Sequence, residues 1–448
     1  MPCQTQAPPV RYRFGGRRTT NPFTFGNPIR DPARFYGRRQ EIHQIVSRLL
    51  SSAHESTSVV GERRIGKTSL LYYLSHPNVA VSLGLTPDRY ALVYIDFQGL
   101  TDITPQRFWQ RVLGKMARTV TDRDLAATIQ TLQERPQFDL FDMEDLFAAI
   151  GDRGLNVVLF LDEFEYVTLN PNFGADFFGG LRALAIHQPL ALVSATRREL
   201  VDLCHSDEIK GSPFFNIFAN VVLRPFTRQE ANELIEGYVG GTDLAFTPQE
   251  KELVFALAGR HPCFIQIAGY YLVESKSQGL TSDALEGYVT TRFDQQAAPH
   301  YSYLWSHCSE SEKITLLSIL ALCRQEPSKK TLPNLENLSG LHPRAHLDVV
   351  SLGKRGLLDE SDGCYMIFST SFERWISREI AAAPGEEESQ ASVEEWLEGG
   401  RRENLEQVKG ILPRFKKKYW PVISSLLAQI SFEVVAQGAW ELLRALTL

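Results

Sequence analysis

The chain has 448 residues, enough for roughly two to four domains and a large buried core. Its composition, 43% hydrophobic and 22% charged residues, is typical of a soluble globular protein. A formal net charge of −6 argues against a surface that binds nucleic acid throughout, although a local basic patch is still compatible with it. The N-terminus has no apolar run, no stretch would span a membrane, and the six cysteines are scattered, so we expect a soluble, cytoplasmic protein with reduced thiols.

Residues 1–33 are rich in proline, glycine and arginine and predict a flexible basic N-terminal arm. We favour an arm that packs on the edge of the next domain, with nucleic-acid contact as the alternative. From residue 34 to 225 strand-like and helix-like stretches alternate along the chain. This alternation predicts an α/β domain with a doubly wound parallel sheet.

The strongest motif lies in residues 58–74, which read S-V-V, G-E-R-R-I-G-K-T and S-L-L-Y-Y-L and predict a strand, a glycine loop and a helix. The loop fits G-x-x-x-x-G-K-T, the pattern in which backbone N–H groups and a helix N-terminus surround phosphates. Lys67 is expected to reach the β- and γ-phosphates, and the Thr68 hydroxyl to hold Mg²⁺. The predicted nucleotide-binding residues of this P-loop are Gly61, Arg64, Gly66, Lys67, Thr68 and Ser69.

A second candidate element is the stretch 156–165, N-V-V-L-F-L-D-E-F-E, which predicts a buried strand ending in Asp162 and Glu163. Parallel strands direct their carboxyl ends toward the ligand crevice. We therefore expect Asp162 to lie at the Mg²⁺ site and Glu163 to orient and deprotonate the attacking water. The alternative is that the two acids only cap a helix.

The next predicted strand, 190–194, runs into A-T-R-R and places Thr196 and Arg197 beside the same crevice. A polar or cationic side chain there can sense the γ-phosphate and stabilise the charge that develops on it. The alternative is that Arg197 caps the next helix or pairs with a surface acid.

From Thr227 onward the pattern changes to helices, several of them with capping-box starts, and predicts a helical lid over residues 226–300. Residues 301–382 then predict three helices followed by a two-stranded hairpin, the order of a winged-helix domain. Basic residues on its third helix are compatible with a DNA-reading face, and neighbouring acids make a protein-contact face at least as plausible.

Residues 383–448 predict an acidic linker and a C-terminal amphipathic helical segment. The basic and aromatic run 414–420 precedes this segment, and the whole stretch 414–448 is a candidate surface for an unknown protein partner. Packing on the protein's own core and attachment to a membrane surface through the Lys416–Lys418 run are the alternatives. The polar stripe of the segment excludes a membrane span.

Together, the P-loop, the L-D-E strand and the A-T-R strand resemble the STAND group of AAA+-like ATPases, the signal-transduction relatives of NLR and apoptotic ATPases, over roughly residues 34–380. The resemblance implies a P-loop NTPase sheet followed by a helical lid, a winged helix and here a short helical tail, with ATP or ADP and Mg²⁺ as ligands. It also implies that Phe35, Tyr36, Gly37 and Arg38 surround the adenine, that Pro262 supports the base, and that Arg197 contacts the γ-phosphate. The residues that it makes catalytic are Lys67, Glu163 and Arg197.

The sequence also departs from this family. NLR-type members hold ADP with a histidine near the end of the winged helix, and the matching stretch Tyr365–Phe372 contains none. Our first interpretation is a slowly hydrolysing, nucleotide-dependent switch that rearranges or forms homo-oligomers, in signalling or defence. The alternative is a DNA-binding AAA+ ATPase similar to origin-recognition ATPases, and a weaker one is a scaffold that binds nucleotide without hydrolysis.

Overall fold

A computed structural model of the chain describes residues 11–14, 17–206, 211, 213–323, 332–341 and 344–381. These residues form two compact units, one of residues 25–240 and one of residues 241–381 with the described part of 1–24. The predicted tail and partner segment, residues 383–448, lies outside the described residues. Within the described part of the chain, no helix combines the length and the apolar character needed to cross a membrane.

The described residues of the predicted flexible arm, from Arg11 onward, include two short strands. Strands β1 (Arg11–Phe14) and β2 (Arg17–Thr20) pair antiparallel. After them, the Asn21 side-chain amide donates to the carbonyl oxygen of Tyr270 at 2.9 Å, and the buried ring of Phe23 stacks on Phe246 with centroids 5.6 Å apart. The arm is therefore held against the second unit at residues 21–24 because an apolar ring is buried there.

A five-stranded parallel sheet forms the centre of the first unit. Its strands are β3 (Ser56–Val60), β4 (Tyr90–Asp96), β5 (Asn156–Asp162), β6 (Leu190–Thr196) and β7 (Phe218–Val222), in the spatial order β4-β5-β6-β3-β7. The first strand of this sheet along the chain, β3, thus lies between β6 and β7, so the strand order reverses at β3. Ligands bind outside the carboxyl ends of the strands at such a reversal.

Helices cover both faces of this sheet. The first unit contains α1 (Arg39–Leu49), α2 (Lys67–Ser75), α3 (Pro77–Ser82), α4 (Pro105–Thr119), α5 (Arg123–Glu134), α6 (Leu140–Gly151), α7 (Glu165–Thr168), α8 (Ala175–His187) and α9 (Arg228–Val239). Alternate residues of β5 enter separate apolar layers: Leu159 packs with α4, α5, α6 and α8, and Phe160 packs with α1 and α2. The predicted α/β fold with a doubly wound parallel sheet is confirmed.

The second unit is mainly helical. It contains α10 (Pro248–Ala258), α11 (Pro262–Ser277), α12 (Ser282–Ser306), α13 (Glu310–Cys323), α14 (Leu335–Leu341), α15 (Ala345–Arg355), β8 (Leu358–Ser361), β9 (Cys364–Ile367) and α16 (Thr370–Ala381). The elements α13, α14 and α15 and the antiparallel hairpin β8–β9 follow one another in the predicted order. We call residues 310–381 the hairpin module; its assignment as a winged helix stays a prediction.

The predicted domain boundaries also stay predictions, and two helices do not follow them. Helix α9, expected to open the lid, belongs to the first unit, where its Glu230 accepts a bond from the backbone N–H of Arg38 at 2.7 Å. Helix α12 continues through residue 300, where the lid was expected to end, although it contains Pro299. The predicted capping boxes of α9 and α10, at Thr227 and Thr247, are both present.

Candidate functional site

The P-loop connects β3 to α2 and depends on its two glycines. A Cβ atom at Gly61 would lie 2.9 Å from a methyl carbon of Ile65 and 3.0 Å from the carbonyl oxygen of Leu223. Gly66 has a φ of +105°, in the region that favours glycine, and α2 begins at the next residue. The backbone N–H of Gly61 donates to the carbonyl oxygen of Thr196 at 3.2 Å, so the loop starts beside the end of β6.

Lys67 is buried at the base of this loop, with 5% of its surface exposed. Its ammonium donates to the carbonyl oxygens of Gly61 at 2.8 Å and of Glu62 at 3.2 Å. Burial lowers the pKa of Lys67, and the nearby carboxylates, Glu165 first and Glu163 next, oppose that change. The ammonium is therefore held inside the loop, where a phosphate-binding lysine is expected.

Two other residues predicted to bind nucleotide, Arg64 and Ser69, form hydrogen bonds with the protein itself in this structure. Arg64 donates to the carbonyl oxygens of Phe25 at 3.1 Å and Gly26 at 3.0 Å. The Ser69 hydroxyl accepts from the backbone N–H of Ile29 at 3.0 Å. These side chains thus fasten residues 25–29 to the P-loop, and their proposed contact with nucleotide stays a prediction.

Asp162 ends β5 as an almost fully buried carboxylate, 1% exposed. The Tyr94 hydroxyl donates to its Oδ2 at 2.7 Å, and the Thr68 hydroxyl lies close enough to lower its pKa. Burial raises the pKa of Asp162, and these two hydroxyl groups oppose the rise. The structure therefore brings Thr68 and Asp162 together, and hydroxyl and carboxylate oxygens are ligands that Mg²⁺ accepts.

Glu163 follows at the strand end in a left-handed backbone conformation with φ +52°. Such a φ is uncommon for a residue other than glycine and is often found at functional sites. Burial is the main cause that raises the pKa of Glu163, and the carboxylate of Glu165 adds to it. A carboxylate with a raised pKa suits the predicted role of a base for water.

Arg197 is paired in this structure with a buried acid that the sequence analysis did not single out. Its Nε donates to Oε1 of Glu165 at 2.7 Å, and Glu165 is 1% exposed. Thr196, the residue before it, donates its hydroxyl proton to the carbonyl oxygen of Arg198 at 2.7 Å. Arg197 therefore pairs with an acid in this structure, as the alternative interpretation expected, but the acid is buried and not at the surface.

Glu165 could have been found from its position in L-D-E-F-E. It is the first residue of α7, directly after the strand end that carries Asp162 and Glu163. The turn at Glu163 folds the chain back, so the acid two residues later is buried at the same edge of the sheet. We name Lys67, Asp162, Glu163, Glu165 and Arg197 the crevice cluster.

The predicted adenine segment, residues 35–38, is packed into the first unit. Phe35 stacks on Tyr73 with ring centroids 4.4 Å apart. The ring of Tyr36 lies so close to α9 that a Cβ atom at Gly237 would be 2.3 Å from the tyrosine hydroxyl oxygen. Both aromatic rings therefore have protein partners, and their contact with a base stays a prediction.

Arg38 is buried and joins three segments of the first unit. Its guanidinium donates to the carbonyl oxygens of Arg224 at 2.6 Å and of Ile65 at 3.0 Å, and it pairs with Glu41 at 3.1 Å. Burial lowers the pKa of Arg38, and Glu41 opposes that change. Because Ile65 belongs to the P-loop, Arg38 supports the loop from behind. Gly37 precedes it with a φ of +73°.

Pro262 lies in the second unit as the first residue of α11. The segment before it is fixed to the hairpin module: a Cβ atom at Gly259 would be 2.3 Å from the carbonyl oxygen of Phe368, and Arg260 pairs with Asp359. The predicted contact of Pro262 with the base stays a prediction.

Residues 38–322, more than half of the chain, match the model of a protein family described as novel STAND NTPase 2. The chain belongs to this family. It is therefore a P-loop NTPase of the STAND type, and the resemblance stated from the sequence is confirmed. The matched residues include the P-loop and every member of the crevice cluster.

Among solved structures, the chain is similar to a Walker-type ATPase of Pyrococcus abyssi, with 16% identity, 78% of this chain and 98% of that chain covered, and a TM-score of 0.50. It is also similar to the ORC2 protein of Aeropyrum pernix in ADPNP–ADP complexes, with 15% identity, coverage of 81% and 98%, and a TM-score of 0.48. At such identities the likeness shows the fold alone. No protein with curated annotation matches the chain.

Proposed function

We propose that this protein is a molecular switch that binds ATP, hydrolyses it slowly and changes its assembly with the bound nucleotide, in signalling or defence. The observation that carries the proposal is the crevice cluster itself. Its members lie at the carboxyl ends of three neighbouring strands, β3, β5 and β6, beside the reversal of strand order. A buried lysine, two adjacent acids and an arginine are the groups that phosphoryl transfer requires.

Each residue has a distinct role in this proposal. Lys67 binds the β- and γ-phosphates, and Arg197, with Thr196 beside it, contacts the γ-phosphate. Glu163 orients the attacking water and accepts its proton. These roles require that the Lys67 ammonium exchange its bonds with the loop carbonyls for bonds with phosphate.

The residues present fit Mg²⁺. The Thr68 hydroxyl lies near Asp162 at the end of β5, and both groups offer oxygen ligands. Bound Mg²⁺ neutralises phosphate charge and polarises the phosphoryl group. The preference for adenine over guanine rests on the resemblance to ATPases of the STAND group.

A switch requires that the two nucleotides bind its two states with different free energies. ATP and ADP differ by the γ-phosphate, so the contacts of Lys67 and Arg197 with this phosphate are a source of the difference. Slow hydrolysis then sets how long the ATP state lasts. This reasoning favours a timing function over rapid turnover.

The test is the absolute mass of the protein in solution, measured by light scattering with ADP and with ATP·Mg²⁺. Glu163→Gln would be used to prevent hydrolysis, and Lys67→Ala is the control that should not respond to nucleotide. We expect a discrete oligomer with ATP only. A protein that stays monomeric with ADP and with ATP would contradict the proposal that the switch works by self-assembly.

A further inference from the structure

Glu165 is a buried acid with no role in the proposed hydrolysis. One carboxylate oxygen accepts from Arg197 Nε at 2.7 Å, and the other, Oε2, has no hydrogen-bond partner among the described residues. A buried carboxylate with an unsatisfied oxygen costs free energy, because its lost hydration is only partly replaced. A position that retains such a group needs an explanation beyond stability.

The charges around Glu165 suggest an explanation for its unpaired carboxylate oxygen. It is the carboxylate that acts most strongly on Lys67 and also on Glu163, so it lies close to both. The crevice cluster holds three carboxylates and two cations, an excess of one negative charge from the protein's own side chains. The negative charge of Glu165 therefore lies close to Lys67 and Arg197, the two cations proposed to bind the γ-phosphate.

We propose that Glu165 is a specificity-determining residue that weakens ATP binding relative to ADP binding by holding Arg197 and neutralising the cations that attract the γ-phosphate. The inference rests on the proposed function and deepens it. A γ-phosphate has to share Arg197 with Glu165 or displace it, and it meets a like charge in a buried setting where charges interact strongly. ADP lacks that phosphate and does not carry this cost.

Glu165→Gln separates charge from shape. Glutamine has almost the same size and keeps a carbonyl oxygen that can accept from Arg197 Nε, but it carries no negative charge. Its bond to the arginine is weaker than the charge-assisted bond of the glutamate. The variant should therefore release Arg197 for the γ-phosphate without opening a cavity.

The experiment measures dissociation constants for ADP and for the non-hydrolysable β,γ-imido analogue of ATP, with Mg²⁺, by calorimetry on the full chain. For Glu165→Gln we expect the ratio of the ADP constant to the analogue constant to rise about tenfold, since one buried like charge is removed. Glu134→Gln, at an exposed acid of α5, is the matched control and should leave the ratio unchanged. An unchanged or lower ratio in Glu165→Gln overturns the inference.

The double variant Glu165→Gln/Arg197→Gln tests whether the effect passes through Arg197. We expect its ratio to return to the wild-type value or below, because the cation released by the first substitution is gone. A full tenfold rise in the double variant would overturn the inference. The pair is buried only at Glu165, since the Arg197 side chain is 35% exposed, and the double variant leaves neither charge without its partner, so it also serves if Glu165→Gln alone fails to fold.

The failure of the inference can be told apart from failure of the proposed function. A wild-type chain that binds neither nucleotide would overturn both. Wild-type binding of both nucleotides that Lys67→Ala abolishes, together with an unchanged ratio in Glu165→Gln, would overturn the inference alone. A thermal unfolding scan without nucleotide verifies that each variant is folded.

Discussion

The buried carboxylates of the two units differ in how they are paired. The crevice cluster contains Glu165 with one unpaired oxygen and Lys67 bonded only to loop carbonyls in its described hydrogen bonds. In the hairpin module, Asp348 accepts from the hydroxyl groups of Ser311 at 2.6 Å and Thr315 at 2.9 Å. Its neighbour Glu312 accepts from Ser351 at 2.7 Å and from Arg355 at 3.2 Å.

The difference indicates what each group is for. Buried carboxylates that accept hydrogen bonds from their own protein hold elements of a fold together, whereas a buried carboxylate oxygen with no donor is a candidate for acting on a ligand. This contrast between the carboxylates supports the proposal that the ligand site lies in the first unit. Asp348 and Arg355, two charged residues of α15, connect helices α13 and α15 within the hairpin module.

The largest expected effect is on nucleotide binding by Lys67→Ala. Removing the buried ammonium should weaken ATP binding by about 100-fold, the size of one or two charge-assisted bonds. Calorimetry with Mg²⁺·ATP measures the change. Lys115→Ala, at an exposed position of α4, is the control that should bind as the wild type does. If Lys67→Ala bound ATP as tightly as the wild type, the crevice cluster would not be the nucleotide site.

The next effect is on hydrolysis by Glu163→Gln. Loss of a general base should reduce the rate of phosphate release by roughly 100- to 1,000-fold, while ATP affinity changes little. Single-turnover phosphate release and calorimetry measure the two quantities. Asp102→Asn, at an exposed acid, should leave both unchanged. A variant that hydrolyses ATP at the wild-type rate would show that another group activates water.

A smaller effect is expected for Asp348→Ala in the hairpin module. The substitution leaves the buried Thr315 hydroxyl and the Ser311 hydroxyl without their acceptor, so the free energy of unfolding should fall by about 2 kcal/mol. Urea unfolding measures it. Leu347→Ala on the exposed side of α15 should change stability by less than about 0.5 kcal/mol. Nucleotide affinity should stay unchanged, and its loss would contradict the contrast between the two groups of charges.

The smallest expected effect concerns DNA. The exposed face of α15 carries Leu347, 53% exposed, and Val350, 57% exposed, which suit an apolar contact better than a phosphate backbone. We therefore expect no duplex binding that weakens steeply with salt, measured by fluorescence anisotropy at low and high salt. Duplex binding that weakens steeply with salt, and that Lys354→Ala weakens further, would favour the alternative of a DNA-binding AAA+ ATPase.

The sequence by itself determined the fold of the first unit and most of its candidate site. Three local patterns carry this information, and each predicts a strand together with the loop or turn at its end. They are the glycines of the P-loop, the apolar run before Asp162 and Glu163, and the apolar run before Thr196. Because parallel strands direct their carboxyl ends to one edge, these distant motifs could be assigned to one crevice. The capping boxes at Thr227 and Thr247 likewise depend on residues three apart.

Only the tertiary structure decided how the side chains pair. Arg38 lies 27 residues from Ile65 and 186 from Arg224 along the chain, and no local pattern predicts that its guanidinium bonds to both. The pairing of Arg197 with Glu165, 32 residues away, depends on the alignment of β5 with β6 and on the turn at Glu163. Sequence periodicity reports which face of an element is buried, whereas the partners of a buried charge depend on long-range packing.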